Sequence, residues 1–213
     1  MKLILVRHAE SIWNKLNRVQ GIRDPRLSEK GRRQSQLLAN KFDGMSFDAV
    51  YSSPLKRAYE TANIISPIRL IRPIILKDLQ EIKLGVWEGK TIKQVQEEYK
   101  ELYAQWYQKP VEVKIPGAET VLEFKDRVVS VFDGIRAKHP DQEVLVVTHG
   151  GVIAVYLAHL LEMNLNRLWS ISLKNASVTI ISFCEACLVE NFPCVLLFND
   201  TCHLESEKDL VTW

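Results

Sequence analysis

The sequence predicts a three-layer α/β/α fold in which helices cover both faces of a mostly parallel central sheet. The stretches Lys2–Val6 and Val144–Val147 are rich in Val, Ile and Leu, the pattern of strands buried on both faces. Each is followed closely by a histidine, His8 and His149, and an open α/β sheet places its chemistry at the carboxyl ends of its strands. Further strand-like stretches at Ala49–Ser52, Val178–Phe183 and Val195–Phe198 alternate with amphipathic helical ones, the order that winds a sheet in both directions.

The helices follow from their caps and periodicity. Ser28 caps one that carries Leu37, Leu38 and Phe42, and Ser53 as N-cap with Pro54 in the favoured first position opens another. Thr91 with Gln94 makes a capping box ahead of Ile92, Val95, Tyr99, Leu102, Tyr103 and Trp106 at helical spacing. Thr120 with Glu123 repeats the device ahead of Phe124, Val128, Val131, Phe132 and Ile135. The helix after His149 is apolar almost all round from Val152 to Leu161 and is expected to be buried. The region 67–116 has fewer strand signals and more aromatics and prolines, and is expected to form a small inserted lobe over the site. Residues 1–213 are expected to form one domain, with a tail over 205–213 polar enough to fray.

Composition narrows the function. With 213 residues, 46% of them hydrophobic, the chain is long enough for one substantial core. Lys+Arg 28 against Asp+Glu 26 is nearly balanced, which excludes the electrostatic footprint of a nucleic-acid or polybasic membrane protein. Any positive field is then local to a pocket. No apolar run approaches the roughly 18 residues of a membrane span, and the N-terminus lacks a signal-peptide pattern, so a cytoplasmic protein is expected. The four cysteines are Cys184, Cys187, Cys194 and Cys202. Cys184-x-x-Cys187 has zinc-like spacing, but the second pair does not match it and no histidine follows at finger spacing. Reduced thiols and no metal site are expected.

Four positions carry chemistry. His8 projects from a strand end, where a neutral imidazole held through one nitrogen is a good nucleophile toward phosphorus; a histidine merely satisfied by backbone is the competing reading. Arg57 falls in the first turn of a helix, where the macrodipole disfavours positive charge, a conflict that an anion at the helix start removes. Glu81 lies near Leu84, Val86 and Trp87, apolar surroundings suited to a carboxyl group that protonates a leaving oxygen and later deprotonates a water. His149 precedes Gly150-Gly151 and a helix, which brings an imidazole and free N–H groups to a second strand end as a charge-stabilising wall. His139 reads as a loop residue, His159 as a satisfied core histidine and His203 as structural, though near enough to the last strand to reach a pocket mouth.

With these residues in place, the chain resembles the histidine phosphatase superfamily, also called phosphoglycerate mutase-like. LVRHAESIWN, QGIRDPRLSEKG, SSPLKRAYETA, EIKLGVWEG, PGAET and VTHGGVI stand in the family's order across nearly the whole chain, with Ala9 where glycine is commoner. The resemblance implies that His8 is phosphorylated, that Arg7, Arg57 and His149 hold the phosphoryl group, and that Glu81 is acid and base. It further implies that Asn14, Gln20 and Gly21, with Gly150, frame the phosphate pocket, and that no metal or other cofactor takes part.

The family contains phosphatases and mutases. The compact chain, Gln20-Gly21 and NDTCHL resemble the branch of cofactor-independent phosphoserine phosphatases and α-ribazole phosphatases, so hydrolysis of a small phosphorylated metabolite is expected. A cofactor-dependent phosphoglycerate mutase is the alternative, and a catalytically weak partner subunit a second. Lys83, Arg23 and Arg26 are candidates to meet a carboxylate on the substrate, and Trp87, Trp106 and Tyr107 to close over an organic group. Val178–Phe183 as an edge strand implies a homodimer paired through it.

Overall fold

The computed structural model describes residues 1–66, 71–183 and 192–205. Among these residues the sheet has six strands: β1 (Lys2–Arg7), β2 (Ala49–Ser52), β3 (Ile74–Ile75), β4 (Glu143–Thr148), β5 (Val178–Ser182) and β6 (Cys194–Asp200). They lie in the order β3-β2-β4-β1-β5-β6. The first four are mutually parallel, and β5 runs antiparallel to both β1 and β6. The helices are α1 (Ile12–Lys15), α2 (Glu29–Lys41), α3 (Lys56–Ile65), α4 (Ile92–Glu98), α5 (Lys100–Gln108), α6 (Val121–Lys138) and α7 (Gly150–Leu160).

Strand alternation divides the core into two faces. Leu3, Leu5, Val144 and Val146 pack with Phe124, Val128 and Phe132 of α6 and with the buried run of α7. Ile4, Val6, Leu145 and Val147 face the other way, onto Leu38 and Phe42 from α2 and its end and Ala58, Ala62 and Ile65 of α3. Both faces of β1 and β4 are therefore covered, as their continuous apolar sequence requires. The expected caps form: Ser28 Oγ accepts from the Gly31 N–H at 2.9 Å, and Thr91 and Thr120 make reciprocal boxes with Gln94 and Glu123.

Several expectations need correction. Val178–Phe183 is not an edge, because β5 pairs on both sides; the edges are β3 and β6. Apolar content alone does not separate an edge from a central strand when Leu196 and Phe198 of β6 are themselves 59% and 49% exposed. Ser53 is not the N-cap of α3, which begins after Leu55. The helix expected from Ile92 to Trp106 breaks at Tyr99 (φ −128°, ψ 38°) into α4 and α5, since an apolar stripe continues at helical spacing across such a break. His159, at the end of α7, is exposed rather than in the core.

Within the region 67–116, β3 joins the sheet beside β2, and Leu79, Ile82, Trp87, Val95 and Trp106 belong to the same buried cluster as Leu3 and Phe124. Trp87 and Trp106, with Tyr99 and Tyr103 packed against them, lie in the cluster on the α6 and α7 side of the sheet. Cys184, Cys187 and the tail over 206–213 lie outside the described residues. Among the described residues no helix is long and apolar enough to cross a membrane.

Candidate active site

The two histidine-bearing strand ends are neighbours. β1 and β4 pair in register from Lys2↔Glu143 to Arg7↔Thr148, and the His8 N–H continues the ladder onto the Thr148 carbonyl at 2.8 Å. That register brings the His8 and His149 rings to 5.2 Å between centroids, edge to face at 63°. Behind them, the Ala9 N–H donates to Thr61 Oγ1, whose hydroxyl donates to the Arg57 carbonyl, and Asn175 Nδ2 donates to the His8 carbonyl at 3.2 Å. Strand end and helix are thus tied together through backbone.

The partners of His8 settle its tautomer. Its Nδ1 lies 2.7 Å from the Ala9 carbonyl, which can only accept, so Nδ1 carries the hydrogen. Its Nε2 takes the Arg57 Nε–H at 3.2 Å and so presents a lone pair. Burial, with the charges of Arg57 and Arg7 beside it, holds the His8 pKa well below the ordinary histidine value. The ring is neutral at neutral pH.

Arg57 is 1% exposed and donates to the carbonyls of Arg23 (2.7 Å) and Gly21 (2.8 Å) as well as to His8. Arg7 donates to the Leu173 carbonyl and keeps a buried Nε–H without a partner. Burial pushes both guanidinium pKa values down to about 10, which leaves both cationic. The anion expected at the start of α3 is present, but it comes from the protein: Asp24 accepts from the Lys56 N–H at 2.5 Å and pairs with Lys56 Nζ at 3.3 Å. A residue from a distant loop does the capping that the local sequence assigned to Ser53.

Ser53 instead serves the second histidine. Its Oγ lies 2.8 Å from His149 Nε2, while His149 Nδ1 is buried without a partner. Burial and the charges of Arg57, His8 and Arg7 hold the His149 pKa well below its usual value. In the unfolded chain both histidines titrate near pH 6.5, so between that value and their lower folded values the unfolded state binds more protons. The sign is therefore a loss of stability as pH falls. Urea unfolding at pH 7 and pH 5.5 is expected to show it, at up to about 1.4 kcal/mol per pH unit for each histidine, and the loss is expected to shrink in the variant His8→Gln.

Glu81 sits opposite. Its Oε2 accepts the Gly151 N–H in the first turn of α7 at 3.0 Å, and Oε1 accepts the Ile82 N–H at 2.9 Å. Of the apolar neighbours expected around it, Leu84 lines the same cavity, whereas Val86 is exposed and Trp87 is buried in the core. Gly151 makes the approach possible, since a Cβ there would overlap the Glu81 carboxylate. Gly151→Ala is expected to leave thermal stability unchanged or slightly raised, as in a helix, while turnover falls about 10²-fold from the displaced carboxylate. Thermal unfolding and steady-state rates read the two effects separately.

Arg7, His8, Arg57 and Glu81 line one cavity of about 380 Å³, with Gln20, Gly21 and Gly150. Gly21 adopts φ +50° against the Glu88 side chain, whose Oε1 accepts the N–H groups of Ile22 and Leu84. His149 stands behind this lining, against the His8 ring. Asn14 also stands behind it, in an unforeseen capping box with Ser11, whose Oγ lies 2.8 Å from Gln20 Oε1. Trp106 and Tyr107 line the cavity, whereas Lys83 and Arg23 line a separate depression and Arg26 another. His139 pairs with the Tyr51 hydroxyl at 2.9 Å, and His203, pushed down to about 4 by burial, lies beside Lys41 and Asp200 rather than at the cavity.

Ser53, Thr61, Asp24 and Asn175 were not foreseen as parts of this arrangement. Thr61, one helical turn after Arg57, had a spacing signal; Asp24 and Asn175 act through tertiary contacts that no local pattern announces.

The comparisons with known proteins agree with this geometry. A family model described as histidine phosphatase superfamily (branch 1) matches residues 3–190. Phosphoserine phosphatase 1 of Hydrogenobacter thermophilus is 38% identical over 204 residues, 96% of this chain and 94% of that protein. The metal-independent phosphoserine phosphatase of Arabidopsis thaliana is 36% identical over 160 residues, 73% of this chain and 67% of that protein. The solved structure of Bacillus stearothermophilus YhfR superposes with a TM-score of 0.89 at 32% identity, covering 96% of this chain and 99% of that one. From the strand-end histidines to the matched motifs, the chain belongs to the histidine phosphatase superfamily, branch 1.

Proposed function

We propose that the protein is a metal-independent phosphatase that hydrolyses a small phosphomonoester, such as phosphoserine, α-ribazole phosphate or a similar ester, through a phosphohistidine on His8. The observation that carries this reading is the His8 ring, buried and neutral, with Nδ1–H held by the Ala9 carbonyl and the Nε2 lone pair turned toward the Arg57 guanidinium. His8 Nε2 attacks phosphorus, the N–P bond forms as the ester P–O bond breaks, and Glu81 gives its proton to the departing oxygen. Glu81 then takes a proton from water, whose oxygen attacks phosphorus; the N–P bond breaks and phosphate leaves. Arg7 and Arg57, with His149 behind, meet the charge on the equatorial oxygens that a divalent cation meets elsewhere. The relatives named as phosphoserine phosphatases support hydrolysis over the mutase alternative, and the convergence of five polar side chains supports an enzyme over a weak partner subunit.

The free thiol of Cys202 fits a reducing compartment, the cytoplasm. The exposed Leu196 and Phe198 of β6 support a homodimer through that edge, and sedimentation showing a monomer at micromolar concentration removes it. The central reading is tested by turnover of p-nitrophenyl phosphate in EDTA with an alkaline quench. Base-stable, acid-labile phosphate on His8 is expected, and its absence during turnover overturns the mechanism.

A further inference from the structure

Glu88 takes no part in the reaction as written above, yet its side chain is only 4% exposed and its carboxylate meets two loops of the cavity at once. Its Oε1 accepts the Ile22 N–H at 3.1 Å and the Leu84 N–H at 3.0 Å, and its Oε2 lies 3.3 Å from Arg23 Nε. Ile22 stands between Gly21 and Arg23, whose carbonyls accept from the two terminal nitrogens of Arg57 at 2.8 and 2.7 Å. Leu84 follows Glu81 by three residues and lines the cavity with it. One oxygen atom therefore joins the loop that grips the phosphate-holding arginine to the loop that carries the proton donor.

The chain is built to allow this junction. Gly21 has φ +50°, and a Cβ there would overlap Glu88 Oε1, so glycine lets the carboxylate come against the backbone. Alongside, the Gly89 N–H donates to the Val19 carbonyl and the Val19 N–H to the Lys90 carbonyl, both at 2.9 Å, which lays the two segments side by side. Burying a carboxylate is costly unless it is hydrogen-bonded, and bonds from N–H groups to a charged oxygen are short and strong, so the junction is stiff where the cavity needs it. Proton transfer to an oxygen on the Arg57-bound phosphoryl group depends on that stiffness, because a misplacement of about 1 Å costs about 10²-fold in rate.

Resting on the phosphatase reading, we propose that Glu88 is a positioning residue: through its two backbone hydrogen bonds it fixes the distance between the phosphoryl group held by Arg57 and the proton carried by Glu81.

The test is steady-state turnover of p-nitrophenyl phosphate by three variants. Glu88→Gln keeps an oxygen able to accept both N–H groups and turns its amide toward the exposed Arg23 side chain, so its kcat is expected within about threefold of the unaltered protein. Glu88→Asp keeps the charge but falls one methylene short of both loops, and is expected to lose about tenfold; Glu88→Ala is expected to lose about 10²-fold. In a Glu81→Gln background, where no proton is left to position, Glu88→Ala is expected to cost at most about twofold more, whereas a loosened fold costs the same in both backgrounds. Should Glu88→Ala fail to fold, the order of the other two variants and the same cycle run with Glu88→Asp decide the question. An Asp variant faster than the Gln variant, or an undiminished loss in the Glu81→Gln background, overturns the positioning role and leaves the phosphatase reading standing. If the unaltered protein forms no phosphohistidine, that reading fails and the positioning role falls with it.

Discussion

His8→Ala is expected to lower turnover of every phosphomonoester by at least about 10⁴-fold, the scale of losing a covalent nucleophile. The loss belongs to chemistry, because the side chain is not a major part of the packing: His8 touches His149 edge-on, Arg57 through one hydrogen bond and Ala9 through another. Removing the ring leaves the Arg57 Nε–H with nothing to donate to, which costs stability, but it also removes one of the two buried neutral imidazoles that resist acid. The variant is therefore expected to unfold at a lower urea concentration at pH 7 and to lose less on going to pH 5.5. Rates measured with the variant, alkaline-quench labelling and unfolding at the two pH values check these statements separately. A variant that still releases phosphate at a tenth of the normal rate removes His8 from the mechanism.

Glu81→Gln is expected to slow turnover by about 10²–10⁴-fold with little change in phosphate binding. Its two partners are backbone N–H groups, of Gly151 and Ile82, and a carboxamide oxygen still accepts from one of them. The side chain therefore stays near its place while it loses the ability to give and take a proton. The two half-reactions separate with the leaving group. For an ester of p-nitrophenol the departing oxygen needs no proton, so the first step survives and p-nitrophenol is released in a burst stoichiometric with enzyme. Water still has to be deprotonated, so the phosphohistidine persists. For an alkyl ester both steps are slowed and no burst appears. Equal slowing of both esters, without a burst, places Glu81 in positioning rather than proton transfer.

Much of this was legible in the sequence because strands and caps are local statements. The apolar runs of β1 and β4 announce burial on both faces, and Thr91-x-x-Gln94 and Thr120-x-x-Glu123 carry both halves of their boxes within four residues. The reading failed where the deciding partner is remote. Ser53-Pro54 looks like a helix start, yet Asp24 caps that helix and Ser53 turns to His149. β5 looks like an edge until β6 pairs with it, and β3, two residues behind a proline, gives too short a pattern to see. The candidate catalytic side chains were singled out by chemistry and motif order, and the structure gathers four of them onto one cavity with His149 behind. Which groups face the leaving alcohol was beyond the sequence, because Lys83 and Trp106 are equally plausible neighbours until the loop geometry puts one outside and the other within.

The β1–β4 ladder has a further consequence. The spacing between the two imidazoles is set by a run of main-chain bonds in register, and a strand moves relative to its neighbour only by whole residues, each single step turning its side chains to the opposite face. Gradual change cannot adjust that spacing. The walls around the leaving group hang instead on α5 and on the segment after α7, where one side chain at a time can be exchanged at little cost to the sheet. Chemistry and selectivity are thus mounted on different parts of the chain, so a lineage built on this frame can change what it dephosphorylates while keeping how it does so.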